Sequence, residues 1–421
     1  NRGERSLLKR IVSGIMLILL MLSLLTLAFN IQPIKGEPLE APATEWSKTY
    51  GGAGDERFNS VVQSSDGGYV AVGYTSSLGA GNVDIWVVKT DDDGNIRWDK
   101  VFGGPDPDRA NSVVQTKDGG YMIAGSTSSS DGWDIWLIKT DSRGNIEWSK
   151  TYDGIYAFSV AQTDDGGYVA TGTGYSPDAQ SWDFLLVKTD ANGNLEWRKT
   201  YGGSYWDLAR SVFQTGDGGF VAVGGTDSFG AGSNDFWLIK TDANGNLEWS
   251  RVYGGENWDM AFSAVLTSDG GYMLAGETYS IGTGEDFWLV KTDVDGNVEW
   301  SKTYGEASWD TPYSVFQTAD GGYVAAGFAW PFLGDTSIWI VKADAWGNME
   351  WNSTYVDAGW EIANAILQTA DGGYMIAGCT GISLENMDAW LMKLARPDTT
   401  PPRPVGGYSF QIEGHTVVDS L

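Results

Sequence analysis

Six acidic residues stand at the same place in a repeated phrase, and they are the side chains of this sequence best suited to chemistry. Each lies four residues before the Ser or Ala of a short apolar run: Glu56, Asp108, Asp207, Asp259, Asp310 and Glu361. A tryptophan directly precedes four of these acids: Trp206, Trp258, Trp309 and Trp360. Aromatic rings stack on the apolar faces of sugars while carboxylates accept their hydroxyl groups, so these ten residues form a candidate ligand site. No organic cofactor is indicated, whereas carboxylate oxygens suit Ca²⁺.

The same carboxylates allow two other interpretations. A pair of them could cleave a glycan, because glycosidases use two carboxyl groups about 5 to 9.5 Å apart. Any two of six similar acids could form that pair, so no catalytic residue is singled out. Alternatively, each acid ties down its own loop and each tryptophan packs on the next repeat. Repetition favours this structural interpretation, since a specific site usually breaks the symmetry of a repeat, and only the third repeat departs, with Ile155.

A second acid recurs elsewhere in the repeat, at the start of its third apolar run. The set is Asp84, Asp134, Asp183, Asp235, Asp286 and Asp388. Because it is so regular and a short carboxylate readily accepts nearby backbone N–H groups, we predict that it caps loops.

The rarest side chains exclude several kinds of site. His415 is the only histidine and Cys379 the only cysteine among the 421 residues. Histidine-dependent triads, most zinc sites and intrachain disulfides therefore have no residues from which to form, and the sequence names no other metal site. The formal net charge of −28 disfavours nucleic-acid binding, which needs clustered Lys and Arg.

The elements that position the acids belong to a repeat of about fifty residues, a period typical of propeller blades or solenoids. Seven tryptophans open its Glu-Trp-Ser-Lys-Thr-Tyr-like phrase: Trp46, Trp98, Trp148, Trp197, Trp249, Trp300 and Trp351. Each repeat holds four short apolar runs bounded by Gly, Asp and Asn, which predicts four strands. Two of the connections are Asp-Gly-Gly and Asp-x-x-Gly-Asn turns, in which glycine supplies the positive φ of a tight hairpin.

The phase of the repeat predicts how a ring would close. Seven Asp-Gly-Gly turns are matched by only six Asp-x-x-Gly-Asn turns, so the last repeat ends near Leu394 without its fourth strand. The orphan phrase at 44–50 supplies that strand and removes an open edge that would invite aggregation. The predicted fold is all-β: a seven-bladed β-propeller of four-stranded antiparallel blades over residues 44–394, closed by the N-terminal strand.

The two ends of the chain lie outside this ring. Residues 1–36 resemble a signal peptide or signal anchor, because basic residues precede an apolar stretch over 11–29, near the ~20 residues that span a bilayer as a helix. We therefore expect an N-terminal apolar helix, export, and membrane contact only through this segment. Residues 395–421 are interpreted as a Pro-containing linker or tail. Asn352, in Asn-Ser-Thr, is the glycosylation candidate.

Two stretches resemble known propellers. The sequence Asp-Ala-Asn-Gly-Asn-Leu-Glu-Trp at 242–249 resembles the tryptophan-docking turn of pyrroloquinoline-quinone-type propellers, and 217–238 is similar to Kelch-type blades. The whole unit resembles the repeats of exported archaeal and bacterial β-propeller proteins of unassigned role. This resemblance implies architecture rather than activity, because the quinoproteins would need a vicinal cysteine pair and the Kelch-type copper oxidases would need histidine ligands.

These observations predict a noncatalytic, monomeric propeller, outside the cell or on its surface, that presents loops to a glycan, a protein or a surface component. The alternative is a carbohydrate-active enzyme, a glycoside hydrolase or lyase, that uses the carboxylates at the mouth of the channel. If the four strands run outward in chain order, both tight turns fall at one end of the ring and the acids fall at the other.

Overall fold

The computed structural model describes residues 40–397 except 131, 283, 306–308, 331–335, 356–358 and 384–385, together with two short strands of the tail. The predicted N-terminal helix, the segment 1–36 and most of the tail lie outside these residues. Residues 40–398 form one compact unit. The described residues contain no helix that is long and apolar enough to cross a membrane.

The ring begins with β1 (Thr44–Tyr50), and three four-stranded blades follow. Blade 1 contains β2 (Glu56–Gln63), β3 (Tyr69–Thr75), β4 (Asp84–Thr90) and β5 (Ile96–Phe102). Blade 2 contains β6 (Asp108–Gln115), β7 (Tyr121–Ser129), β8 (Gly132–Thr140) and β9 (Ile146–Asp153). Blade 3 contains β10 (Ile155–Gln162), β11 (Tyr168–Ser176), β12 (Ser181–Thr189) and β13 (Leu195–Tyr201).

The chain continues with three more blades of the same kind. Blade 4 contains β14 (Asp207–Gln214), β15 (Phe220–Thr226), β16 (Asp235–Thr241) and β17 (Leu247–Tyr253). Blade 5 contains β18 (Asp259–Leu266), β19 (Tyr272–Thr278), β20 (Asp286–Thr292) and β21 (Val298–Tyr304). Blade 6 contains β22 (Trp309–Gln317), β23 (Tyr323–Trp330), β24 (Ser337–Ala343) and β25 (Met349–Tyr355).

Blade 7 confirms the predicted closure by the N-terminal strand. Its chain-consecutive strands are β26 (Trp360–Gln368), β27 (Tyr374–Ser383) and β28 (Asn386–Leu394). Strand β1 pairs antiparallel with β28, with Thr49 opposite Trp390, and the Trp390 indole donates to Ser47 Oγ at 2.8 Å. The described residues therefore form seven four-stranded antiparallel blades, as the sequence predicted. The tail contains a separate hairpin of β29 (Ser409–Ile412) and β30 (His415–Val418).

The two middle strands of each blade lie in the core. In blade 1 every residue of β3 and β4 is buried, whereas β5 on the outer edge is mostly exposed or half-buried. Apolar side chains therefore point to both faces of the middle strands, because each face packs on a neighbouring blade. The outer strand alternates between exposed and partly buried residues, as expected for an edge that meets solvent.

The Asp residues of the two tight turns hold the hairpins together. Asp141 Oδ1 accepts the backbone N–H groups of Arg143 and Asn145, both at 2.8 Å, and Gly144 adopts a φ of 75°. Hydrogen bonds from Asn145 hold the pKa of Asp141 below its ordinary value. The turn thus uses its carboxylate as an acceptor for backbone donors, which is the task that Asp commonly performs in hairpins.

A buried lysine in the third strand of each blade pairs with the aspartate of the Asp-Gly-Gly turn. Lys139 is 3% exposed, and its Nζ lies 2.9 Å from Asp118 Oδ2 and 2.8 Å from Glu147 Oε2. The equivalent lysine pairs with the turn aspartate in every other blade, and in all of these except blade 1 it also pairs with a glutamate of the fourth strand: Lys89, Lys188, Lys240, Lys291, Lys342 and Lys393. Burial acts to raise the pKa of Asp118, but hydrogen bonds from Thr116 and Lys139 outweigh it and lower this pKa to about 2.

The tryptophan of the outer strand joins one blade to the next. The Trp148 indole of blade 2 donates to the carbonyl oxygen of Ala191 in blade 3 at 3.2 Å, and its ring lies over Gly193. Tyr152 OH donates to the Gly193 carbonyl at 2.7 Å, and the Trp148 ring meets Tyr168 edge to face. Glycine is favoured at position 193 for two reasons. A larger side chain would collide with the indole, and the backbone has a φ of 72°.

Candidate functional site

The two ends of the ring differ in their loops. The tight turns meet at one end, where Lys89 Nζ lies 2.8 Å from Asp66 Oδ1 and the Gly68 N–H donates to Asp92. The longer connections meet at the other end, where the Gly54 N–H donates to Ser77 Oγ at 2.6 Å. We call this second end the loop face. It comprises the connection before the first strand of each blade and the connection between its second and third strands.

The six predicted acids lie at the loop face but are buried. Their side chains belong to residues that are at most 3% exposed: Glu56, Asp108, Asp207, Asp259, Asp310 and Glu361. Asp259 Oδ2 accepts the Gly255 N–H at 2.9 Å and the Ser280 hydroxyl at 2.7 Å, while the Thr278 hydroxyl donates to Oδ1. This carboxylate thus joins both loop-face connections of its blade. Ligand contact by these acids stays a prediction.

The four predicted tryptophans are more accessible than the acids. Trp206, Trp258 and Trp309 are between 40% and 57% exposed, and Trp360 is partly buried. Trp330 meets the Trp309 ring edge to face at 5.1 Å and the Trp360 ring at 5.2 Å. The aromatic side chains of blades 6 and 7 therefore form a continuous cluster, whereas Trp206 and Trp258 stand on blades 4 and 5.

Two glutamates that the sequence interpretation missed form a pair at the seam between blades 5 and 6. Thr311 Oγ1 lies 2.9 Å from Glu277 Oε2 and 3.0 Å from Glu285 Oε1. The Trp258 indole donates to Glu277 Oε1 at 3.2 Å, and Tyr279 OH donates to Glu285 Oε2. Because the Thr311 hydroxyl has one hydrogen, it can donate to only one of the two carboxyl groups at a time.

This pair breaks the symmetry of the repeat. At the position of Glu277 the other blades carry Tyr74, Ser126, Thr173, Gly225, Phe328 and Cys379. At the position of Glu285 they carry Val83, Trp133, Trp182, Asn234, Thr336 and Met387. The acids of blade 5 are therefore a local addition to the common architecture. Comparison of the seven repeats column by column, rather than by their shared phrase, is the signal that could have found them.

The surroundings of Glu277 favour its protonated form. Burial raises the pKa of Glu277 well above its ordinary value, and the hydrogen bond and negative charge of Glu285 raise it further. Burial also raises the pKa of Tyr279, so its hydroxyl stays a donor to Glu285. One carboxyl group of the pair can thus donate a hydrogen bond while the other accepts one.

An open cavity of about 710 Å³ gives access to Glu277 from solvent. It is lined by Ser233, Glu256, Asn257, Trp258, Glu277 and Tyr279. Trp258 and Tyr279 are each 40% exposed, so both rings present area to the cavity while their polar atoms are held by the glutamates. The cavity therefore combines two fixed aromatic surfaces with a carboxyl group that can exchange a proton.

A buried arginine stands near the pair on the inner strand of blade 4. The Arg210 guanidinium lies 4.1 Å from the centre of the Phe158 ring and 5.6 Å from that of Phe262. Burial lowers the pKa of Arg210, and the charge of Glu277 opposes that shift. Tyr313 packs edge to face on Phe262 at 5.2 Å. The inner strands of blades 3 to 6 are thus aromatic and cationic beside the glutamate pair.

The opposite arc of inner strands carries asparagines that join neighbouring blades. Asn59 Nδ2 donates to the Ala110 carbonyl at 2.8 Å, and Asn111 Nδ2 donates to the Ala157 carbonyl at 2.9 Å. Asn364 Nδ2 donates to Phe58 in the same way at 2.9 Å. These amides bridge adjacent blades and use their donors on backbone.

No protein-family model matches the chain, and no curated protein matches it. The chain is similar in structure to the Pan2 WD40 domain of Neurospora crassa, with 9% identity, a TM-score of 0.52, and coverage of 84% of this chain and 97% of that one. It is also similar to a chain of the crystal structure of BBS1N in complex with ARL6DN, with 9% identity, a TM-score of 0.50, and coverage of 86% and 99%. At these identities the similarity shows the fold alone, a β-propeller with WD40-like neighbours.

Proposed function

We propose that this protein is a noncatalytic binding propeller of the cell surface or extracellular space, and that its ligand site is the loop-face cavity of blade 5. One observation carries the proposal: Trp258 and Tyr279 expose their rings beside a glutamate pair that no other blade repeats. A site that departs from a repeat is better explained by ligand recognition than by the loop tying common to all blades. The exported location rests on the signal-like segment 1–36.

The chemistry of the cavity suits a glycan best. Sugar rings stack on exposed aromatic faces and offer hydroxyl groups that both donate and accept hydrogen bonds. Glu277 presents its carboxyl group to the cavity, and that group donates a hydrogen bond when it holds the proton of the pair and accepts one when Glu285 holds it. Asn257 and Ser233 add neutral polar groups at the rim. A protein or surface component with an exposed hydroxyl or amide group would meet the same set.

A carbohydrate-active enzyme is the second candidate, favoured by the raised pKa of Glu277. A general acid must be protonated near neutral pH, and Glu277 fulfils that condition. Glu285 is an unsuitable partner in catalysis, because the hydroxyl groups of Thr311 and Tyr279 occupy its two carboxylate oxygens and its side chain is buried. The rim residue Glu256 would have to serve as base or nucleophile. We therefore rank binding before catalysis.

The experiment that tests this function compares two equivalent tryptophans. Trp258→Ala removes the aromatic surface of the cavity, whereas Trp206→Ala removes the corresponding exposed ring of blade 4, where Gly225 replaces Glu277. We expect Trp258→Ala to weaken binding of a retained polysaccharide about tenfold or more, and Trp206→Ala to leave it unchanged. Affinity electrophoresis against a panel of soluble polysaccharides gives the measurement.

Release of reducing ends from the same polysaccharides separates the two candidates. Binding without release supports the noncatalytic function. Release of reducing ends that disappears in the Glu277→Gln and Glu256→Gln variants would instead support a carbohydrate-active enzyme. Equal binding by the Trp258 and Trp206 variants would remove the cavity of blade 5 from the proposal.

A further inference from the structure

Buried carboxylates from adjacent blades meet across a glycine at the loop face. At the seam between blades 1 and 2, a Cβ on Gly103 would lie 2.0 Å from Asp84 Oδ1 and 2.7 Å from Asp108 Oδ2. The two carboxylate oxygens are therefore within about 5 Å of each other, a span that one Ca²⁺ ion with bonds of about 2.4 Å can bridge. Gly103 is the residue that leaves this space free.

The same arrangement recurs at two further seams. A Cβ on Gly202 would lie 2.5 Å from both Asp183 Oδ1 and Asp207 Oδ2. A Cβ on Gly254 would lie 1.8 Å from Asp235 Oδ1 and 2.8 Å from Asp259 Oδ2. We call these three places the acid seams: Asp84 with Asp108, Asp183 with Asp207, and Asp235 with Asp259.

The glycine and the acid pair are present or absent together along the chain. Glycine also accompanies the acid pairs of Asp286 with Asp310 and of Asp388 with Glu56. Between blades 2 and 3 the first-strand acid is replaced by Ile155, and the glycine is replaced by Asp153. Between blades 6 and 7 the third-strand acid is replaced by Ser337, and the glycine by Val356. Glycine therefore occurs at this position where both acids are present, and another residue replaces it where one of the acids is missing.

The acid seams hold carboxylate oxygens that nothing in the described chain satisfies. The Oδ1 atoms of Asp84, Asp183 and Asp235 are buried and accept no hydrogen bond. All six aspartates of the acid seams are at most 2% exposed. None of the described Lys and Arg residues forms an ion pair with them, in contrast to the acids of the tight turns.

Two like charges without water or a countercharge are costly to bury. Burial accordingly raises the pKa of Asp108, Asp183, Asp207 and Asp235. Backbone N–H groups that donate to Asp108, Asp207 and Asp259 offset part of the repulsion, and a proton or a bound cation would offset the rest. The ligands available are hard oxygens, which are the ligands that Ca²⁺ prefers, and the chain has an excess of 28 negative charges to attract cations.

We propose that each acid seam binds one Ca²⁺ ion between the third-strand aspartate of one blade and the first-strand aspartate of the next. Among the described residues no third acidic, histidine or cysteine side chain joins any such pair, so backbone carbonyls and water complete the coordination. Two carboxylates give a weak site, on the order of 10⁻⁴ to 10⁻³ M, the range of extracellular calcium modules. The bound ions act as clips between blades and do not depend on the function proposed for blade 5.

The test uses the full chain stripped with EGTA and titrated with CaCl₂. Equilibrium dialysis with radioactive calcium counts the bound ions, and thermal unfolding reports their effect. We expect saturable binding and a melting temperature that rises by at least about 2 °C at 5 mM CaCl₂. The same ionic strength of NaCl should give no such rise. Absence of saturable calcium binding would overturn the proposal.

Matched isosteric variants locate the ions. Asp84→Asn and Asp183→Asn should each remove one bound ion, and each variant should fold because the change relieves charge repulsion. Asp134→Asn, at the seam where Ile155 replaces the second acid, should leave the number of ions unchanged. Calcium binding that is equal in all three variants would contradict the seam location. If protons rather than Ca²⁺ neutralise the acid seams, the melting temperature should rise on mild acidification and should not change with CaCl₂. That result would overturn the proposal.

Discussion

The indole nitrogen of Trp258 donates a hydrogen bond to Glu277 Oε1 across 3.2 Å and thereby joins the connection before β18 to the end of β19. This contact holds the tryptophan at the rim of the cavity with part of its ring exposed. The Thr311 hydroxyl lies between the carboxyl groups of Glu277 and Glu285. The orientation of the Trp258 ring is therefore coupled to the protonation of this pair. The coupling can be measured through pH.

The first prediction concerns Glu277→Gln. Burial, with the charge of Glu285, raises the pKa of Glu277 in the folded chain only. The folded state thus keeps a proton that the unfolded chain loses, so the free energy of unfolding falls as pH rises from the ordinary Glu range through the raised pKa. Glu277→Gln should remove much of this fall. Calorimetry between pH 5 and 9 gives the comparison, with Glu256→Gln on the exposed rim as the control.

The second prediction concerns acidic pH. There the free energy of unfolding falls as the pH falls, opposite to the dependence expected from Glu277. Five aspartates of the Asp-Gly-Gly turns have a pKa lowered to about 2: Asp118, Asp165, Asp217, Asp269 and Asp371. Burial opposes that lowering, and hydrogen bonds from threonine and lysine outweigh it. Their contribution is present above the ordinary Asp range and is lost as pH falls from about 4 to 2. A melting temperature that stays constant over this interval would contradict it.

The third prediction isolates the buried lysine. Lys139→Met keeps the apolar stem but leaves Asp118 and Glu147 facing each other without a cation. Both carboxylates are about half exposed, so water screens them, and we expect a loss of about 2 kcal/mol rather than the 3 to 5 typical of fully buried pairs. Lys150→Met removes a partly buried lysine that binds the neutral Asn194 side chain and lies over the Trp148 ring, and we expect a loss of at most about 1 kcal/mol. Urea unfolding measures both.

The fold could be predicted because its evidence is local and repeated. Asp-Gly-Gly and Asp-x-x-Gly-Asn each specify a hairpin through residues two to four apart, and Asp141 with Asn145 shows the expected geometry. The closure by β1 followed from counting those turns. None of this required knowledge of contacts between blades.

The candidate site could not be predicted in the same way, because its contacts join residues of different loops and, at Thr311, of different blades. Burial of Asp259 depends on Ser280 from another loop, which a repeated phrase does not reveal. The pairing of Glu277 and Glu285 depends on Thr311 across a seam. Repetition directed attention to the residues that every blade shares, whereas the accessible chemistry of blade 5 lies in residues that differ.

The fourth prediction tests the closure of the ring. Removing residues 1–50 deletes β1 and exposes the edge of β28, while removing residues 1–39 leaves the strand in place. The shorter truncation should preserve the melting temperature of the ring. The longer one should lower it by more than about 5 °C and promote aggregation, because an unpaired strand edge is a template for further strands. Similar melting curves for the two truncations would show that blade 7 is stable with three strands.

The fifth prediction compares two adjacent glycines. A Cβ at Gly103 would fall 2.0 Å from Asp84 Oδ1, whereas a Cβ at Gly104 would meet nothing within 4 Å. Gly103→Ala should therefore cost about 1 to 3 kcal/mol through overpacking, while Gly104→Ala should be nearly neutral. The double variant Gly103→Ala with Asp84→Ala should recover part of the loss, because removal of the carboxylate makes room for the methyl group. Urea unfolding of the four chains gives the coupling energy. A coupling near zero would mean that the glycine serves the backbone and not the carboxylate beside it.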